Sequence, residues 1–312
     1  YSRTQNRNAS VQTALIPTAA ERAGDFSQSP KIVVDPATGM PFAGNVIPDN
    51  QISAQARALV RLYPLPNFSS GSYNYQIPIL GVMHGDNFQG AINNITINNA
   101  NRISVTAGFQ SSRSDVPNLF NFTDKANVSS TNASVTWNHR FTQRVSGTVR
   151  FQFNRGVTEN LPYFGRRQDI SGEAGILGND RDPRNWGPPN LNFSAGIARL
   201  TAGSYAFDRN LWNSVSYTST LSRARHAISY GGDFRHQQFN LFSQRDARGT
   251  FTFTGAATGS DFADFLLSIP TASSIAFGNA DKYFRQGIFD AFVTDDWRVI
   301  ASLPFTLGVR WE

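Results

Sequence analysis

The chain has 312 residues, 40% of them hydrophobic and 12% aromatic with 25 phenylalanines, a composition that excludes intrinsic disorder. It has no cysteine, which excludes disulfide stapling and thiolate metal sites, and no apolar run long enough for a transmembrane helix. The net charge is +6; only Lys31, Lys125 and Lys282 are lysine, and the scattered arginines build no run of five or more basic residues, so no nucleic-acid partner is expected.

Residues 1–87 read as one long loop-rich segment. It is punctuated by Pro17, Pro30, Pro36, Pro41, Pro48, Pro64, Pro66 and Pro78, and by Gly24, Gly39, Gly44, Gly71, Gly81 and Gly85. A short helix is expected at 53–62, where Ser53 can cap and Ala56, Leu59, Val60 and Tyr63 share a face. Asp35-Pro36-Ala37-Thr38-Gly39 has the chemistry of a turn.

From residue 88 onward the sequence turns to strands. We place them near 88–97, 102–110, 132–141, 145–154, 211–221, 226–237, 285–299 and 303–311. The clearest hairpin sets Ala133, Val135, Trp137, His139 and Phe141 against Ser134, Thr136, Asn138 and Arg140, and turns at Thr142-Gln143-Arg144. It returns with Val145, Gly147, Val149, Phe151 and Phe153 opposite Ser146, Thr148, Arg150, Gln152 and Asn154. Side chains alternate across a strand, so each segment carries one apolar and one hydrophilic wall. Turns at 98–101, 142–144, 222–225 and 300–302 fall on one side, and loops 111–131, 155–210 and 238–284 on the other. A second short helix is expected at 259–267.

Short turns at one end of a meander and long loops at the other are the layout of an outer-membrane barrel. The expected fold is therefore all-β, an antiparallel meander forming part of a transmembrane β-barrel. About eight strands over 88–312 would make the barrel part, and 1–87 an extracellular segment. Outer-membrane lipid is the expected partner and the bacterial outer membrane the expected location. The chain starts at Tyr1 and stops at Trp311-Glu312 inside a strand pattern, as an interior piece of a longer protein would. Such a piece should be an open sheet with unpaired edges at 88–97 and 303–311.

Candidate chemistry is sparse. His84, His139, His226 and His236 show no metal-ligand spacing, and His139 belongs with the aromatic residues near a turn. Asp261 with Asp264, or Asp295 with Asp296, would be needed as the paired acids of a glycosidase. Adjacent Asp295 and Asp296 point to opposite strand faces, and Asp261 sits where a helix N-terminus favours any acid. There is no phosphate loop, dinucleotide fingerprint or nucleophile elbow. No catalysis, cofactor or metal is expected. Trp137, Phe141, Phe151, Phe153, Tyr217, Trp297, Phe305 and Trp311 fit an interfacial aromatic girdle; the competing reading is a soluble sheet burying that face against another. The opposite face carries Asn138, Arg140, Arg150, Gln152, Asp233, Arg235, Asp296, Arg298 and Arg310, which read as a solvated inner wall or as a set that contacts a ligand.

Several short motifs occur in one order. They are Gly24-Asp25-Phe26-Ser27, Asp35-Pro36-Ala37-Thr38-Gly39, Pro41-Phe42, Gly44-Asn45, Ile47-Pro48 and Tyr63-Pro64-Leu65-Pro66-Asn67, then Asp261-Phe262-Ala263-Asp264-Phe265-Leu266-Leu267, Asp295-Asp296-Trp297-Arg298 and Leu307-Gly308-Val309-Arg310-Trp311-Glu312. The series resembles the barrel region of Oar-like TonB-dependent outer-membrane receptors, notably the set common in soil acidobacteria. The resemblance implies a receptor whose barrel has about 22 strands. It also implies energy-coupled uptake of a bulky nutrient, a plug domain elsewhere in the full-length protein that the inner-wall residues would face, and coupling to the inner-membrane TonB complex through the N-terminal part. The alternative from a different class is a cell-surface or secreted β-rich binding protein without transport activity.

Overall fold

The computed structural model describes residues 1–68, 72–300 and 302–312; Gly71 and residue 301 of the last expected turn lie outside the described residues. The described residues form twelve strands: β1 Ser2–Ala14, β2 Tyr75–Asn98, β3 Asn101–Pro117, β4 Thr123–Arg140, β5 Val145–Leu161, β6 Asn190–Phe193, β7 Ala206–Arg223, β8 His226–Ser243, β9 Thr250–Phe253, β10 Ala272–Ser274, β11 Asp281–Ile300 and β12 Leu303–Trp311. Nine of them form one sheet in the order β1-β2-β3-β4-β5-β7-β8-β11-β12, and every pairing in it is antiparallel. The helices are α1 Ala19–Arg22, α2 Ala54–Val60, α3 Ile170–Glu173 and α4 Asp261–Leu266.

The meander, the side on which the tight turns lie and both longer helices follow the sequence reading. Ser53 caps α2 by accepting from the Ala56 amide, and Ser260 caps α4 from the Ala263 amide. Three expectations are corrected. First, residues 2–14 are a strand, paired from Ser2↔Asn87 to Ala14↔Tyr75, so the sheet has nine strands and not about eight. This segment is polar on both faces and exposed on its outer edge, so it carries no apolar alternation to read.

Second, the strands run well past the expected ends on the loop side. β2 starts at Tyr75, so no structural break separates 1–87 from 88–312, and β3 and β4 leave only residues 118–122 between them. Backbone pairing there continues into a region where both faces meet water, and the period-2 signal fades although the ladder does not. Third, the expected long loops are not independent loops.

Segments 15–68, 72–74, 118–122, 162–205 and 244–280 fold together into a cap at the end of the sheet opposite the tight turns. Its core includes Ile16, Phe26, Val33, Ile47, Leu59, Tyr63, Phe120, Phe122, Leu191, Leu200, Phe262, Phe265 and Leu266. A small sheet, β10-β9-β6, joins it, with β6 parallel to β9. Phe262 packs on Phe26, Phe193 and Phe265 with centroids 6.4, 6.1 and 5.5 Å away. Gly24 must be glycine: its φ is +86°, and a Cβ there would lie 2.8 Å from the Ile47 carbonyl oxygen.

Polar side chains stitch the cap where backbone partners run out. The Asn74 side chain mimics a neighbouring strand, donating to the Ile16 carbonyl at 2.7 Å and accepting from its amide at 2.8 Å. The Arg22 guanidinium donates to the carbonyls of Pro17, Tyr63 and Pro64. Arg248, 5% exposed, donates to the carbonyls of Ala202 and Gly203 at 2.9 and 3.0 Å, and burial pushes its pKa down. Asp264, fully buried, accepts from the Thr258 amide at 2.9 Å and from its hydroxyl at 2.7 Å.

The edges are as expected. β1 covers only residues 75–87 of β2, which leaves 88–98 without a partner on that side among the described residues, and β12 pairs only with 291–300 of β11. β1 and β12 do not pair with each other, so the sheet is an open wall.

Asp264→Ala should strand the two Thr258 donors in the cap, at a cost of about 1–3 kcal/mol. Hydrogen exchange should then quicken around Thr258 and α4 while the β4–β5 amides keep their protection. Equal loss of protection in β4–β5 would show that cap and wall open as one unit.

Candidate functional site

Strand alternation and register together build two unlike faces. One cross-strand row reads Val105, Val135, Phe151, Val215, Phe234 and Phe289 across β3, β4, β5, β7, β8 and β11. The next row along, on the other face, reads Ser104, Thr136, Arg150, Ser216, Asp233 and Asp290. On the apolar face the large side chains stand open, as with Trp137 at 42%, Phe151 at 43% and Phe289 at 57% exposure, and no second layer of the described residues covers them. Phe234 and Phe289 stack with centroids 4.5 Å apart.

Near the tight turns the apolar face ends in rings with polar handles. The Trp137 indole N–H donates to Asn101 Oδ1 at 3.0 Å, and His139 Nδ1 meets the same oxygen at 2.8 Å. His226 stacks on Trp297 at 5.6 Å and pairs through Nδ1 with Asp295 Oδ2 at 2.7 Å. Asp296, on the other face, accepts from the Thr306 hydroxyl at 2.7 Å. His236 does not share this position: β8 continues to Ser243, which leaves it well inside the strand.

All nine inner-wall residues singled out from the sequence lie on the hydrophilic face, but they form more than one group. Arg150 and Asp233 share a pairing row, with Gln152 and Arg235 in the row beside it. Asn138 and Arg140 sit at the turn end of β4, where a recess of about 220 Å³ is lined by Arg102, Ser146 and Thr148 among others. Asn138 Oδ1 accepts from the Thr148 hydroxyl at 2.8 Å. Arg310 lies 3.7 Å from Asp290 and 2.6 Å from Glu312. Arg298 stands apart, by the last turn.

Two members of this wall escaped the sequence reading. Trp212 carries the Arg235 guanidinium 5.4 Å from its ring centroid, and Asp290 completes the Arg150–Asp233 row. Counting alternate positions back from Ser216 and forward from Ile288 would have found both. Among the described residues no group of three His, Asp or Glu side chains could hold a metal ion.

The cap has a recess of its own, about 260 Å³, with apolar walls from Ala56, Leu59, Leu191, Phe251, Phe253 and Phe265. Its residues come from segments far apart in the chain, so no local motif announces it. The paired acids of α4 are engaged elsewhere: Asp261 accepts from the Ala195 amide at 2.6 Å and Asp264 from Thr258. On the outer face Arg184 latches the cap to β8, 3.7 Å above the Phe242 ring, and its fork to Asp182 holds that carboxyl below the usual range.

Over its whole length, residues 1–312, the sequence matches the family described as the outer membrane beta barrel domain. The chain belongs to this outer-membrane β-barrel family. No curated protein matches the sequence. Among solved structures, the chain is similar to the outer membrane transporter YddB from Escherichia coli, at 8% identity and a TM-score of 0.43, over 79% of this chain and 29% of that one. The chain therefore spans less than a third of that transporter's length. As part of an outer-membrane β-barrel it lies in the bacterial outer membrane with its apolar face on lipid. Its tight turns take the periplasmic end and its cap the extracellular end, as in barrels generally.

Val149→Arg or Phe151→Arg should therefore impair membrane assembly of the full-length protein, at about 2–4 kcal/mol near the midplane. Thr148→Arg, one residue away and facing inward, should assemble normally. Equal assembly of all three variants, followed by heat-modifiable gel mobility, would overturn the assignment of faces.

Proposed function

We propose that the chain forms part of the wall of a TonB-dependent receptor of Oar-like character, which binds a bulky nutrient at the cap and takes it up with energy from the inner membrane. The observation that carries this reading is the inner wall: polar over much of its height, with Arg150, Arg235 and Arg298 lacking a carboxylate within 4.0 Å among the described residues. Unpaired guanidinium groups are costly in a dry core and comfortable in water, so this wall suits a wide hydrated interior rather than a small side-chain-filled barrel. The open sheet agrees with a wide barrel, since nine strands here do not curl far enough to meet. The ordered motifs supply the link to TonB-dependent receptors, and most of them prove to be structural elements of the cap: Phe26, Phe42, Ile47 and Tyr63 are all buried there.

In this role the wall is a scaffold and conduit and performs no covalent chemistry. A plug domain elsewhere in the full-length protein would face Arg150, Gln152, Asp233, Arg235 and Arg310, while Asn138, Arg140 and Arg298 would stay near the periplasmic mouth.

The full-length protein should be silent in planar bilayers and conduct ions once its plug is deleted. Arg150→Glu with Arg235→Glu should then move the open pore toward cation selectivity. Unchanged selectivity would remove these residues from the lumen. Energy coupling is read separately, since solute uptake by cells should stop when an uncoupler collapses the proton gradient; uptake at the same rate would exclude TonB dependence.

A further inference from the structure

The outer face changes character abruptly above the apolar band. In the row that continues from Phe153, β5 presents Arg155, β7 Leu211, β8 Gln238 and β11 Arg285. The row below contains His236 and the row above contains Arg209, both on the same outer face. Register makes Arg155 and Arg209 diagonal neighbours on β5 and β7, and His236 and Arg285 diagonal neighbours on β8 and β11. Diagonal neighbours of this kind are about 7–8 Å apart, near enough for two long side chains to close on one oxyanion.

No acid balances them. None of Arg155, Arg209 and Arg285 has a carboxylate within 4.0 Å among the described residues. The outer-face acids nearest in register lie higher and are committed: Glu159 accepts from the Tyr205 hydroxyl at 3.2 Å, and Asp281 lies by Arg184. On β3 and β4 the row of Arg155 continues with Thr131 and Phe109 and carries no basic residue; higher up, Arg113 and Lys125 line a recess that also holds Asp115 and Glu159. The basic surface thus lies on four neighbouring strands, in the rows at and just above Phe153 in the apolar band.

We propose that Arg155, Arg209, His236 and Arg285 form a docking site for the phosphate groups of outer-leaflet lipid. The placement selects this source over dissolved phosphate: the site opens sideways into the membrane plane, directly above Phe153, Phe234 and Phe289, so acyl chains and headgroup are met together. The guanidinium fork gives paired, charge-assisted hydrogen bonds to phosphate.

The test uses the full-length protein, reconstituted in vesicles containing lipid A or only phosphatidylcholine. Wild type should retain lipid A through detergent extraction and gel filtration, measured as bound phosphorus. The triple variant R155Q/R209Q/R285Q should retain at least five-fold less, and R155K/R209K/R285K an intermediate amount. A control with R150Q/R235Q/R298Q on the inner wall should retain as much as wild type. Correct assembly of every variant is read from heat-modifiable mobility, and if the glutamine triple fails to assemble, the three single glutamine variants must each lower retention. Equal retention by wild type and glutamine variants would overturn the proposal. So would displacement of the lipid by millimolar inorganic phosphate, which would make the site one for the free ion.

Discussion

Every feature of this wall follows from the requirement that backbone N–H and C=O groups in lipid find partners within the protein. Strands meet it only by lying side by side, and once they do, each residue is committed to lipid or to water by parity alone. Phe151 and Arg150 are chain neighbours and belong to different solvents. Glycine follows the same geometry: a Cβ on Gly232 would lie 2.6 Å from the Asp290 carbonyl oxygen, where β8 and β11 run close together. The two-faced sheet is thus less a pattern of side chains than a consequence of pairing the backbone.

Above the lipid the requirement relaxes, because water can satisfy what the chain does not. The structure uses that freedom in two ways. The strands continue as a ladder with both faces wet, and the connections between them abandon the ladder for a packed cap. In the cap, backbone groups without a strand partner are met by amide and guanidinium side chains, as Asn74, Asn67 and Arg248 show. Cap and wall are joined by shared residues as well as by chain connections: Tyr75 on the inner face of β2 belongs to the cap core.

How much of this could be read from the sequence depended on the range of the interaction concerned. The β4–β5 hairpin was legible because lipid demands an apolar residue at every second position, and Val135, Trp137, Val149 and Phe151 obey. The first strand was not, since Arg3, Gln5 and Arg7 leave no contrast between faces. The extended upper halves of β2 to β5 were missed for the same reason. In the cap, elements set by neighbouring residues were visible: Ser53 and Ser260 as caps, and the Asp35–Gly39 turn, where the Gly39 amide donates to the Asp35 carbonyl at 2.8 Å. Contacts that join distant segments, such as Arg248 with Ala202 or Tyr63 with Phe120, leave no local trace. The inner-wall residues were found by parity, while their grouping awaited the register that sets Arg150 beside Asp233.

The parallel pairing of β6 with β9 joins residues 60 positions apart, and the contact between the Ser53 and Ser268 hydroxyls spans 215. Hairpins such as β4–β5 and β7–β8 close over a few residues, so they can form while the rest of the chain is still disordered. Loop closure grows costlier with separation, which places the long-range contacts late in any folding sequence. The cap core cannot consolidate until the chain from β2 through α4 has been laid down, since it draws on both sides of that stretch. The extracellular end of the wall is accordingly the last part of the molecule to acquire its shape, and until then its apolar residues, Phe262 among them, remain uncovered. In a cell that interval is the one in which the chain most needs a protective partner.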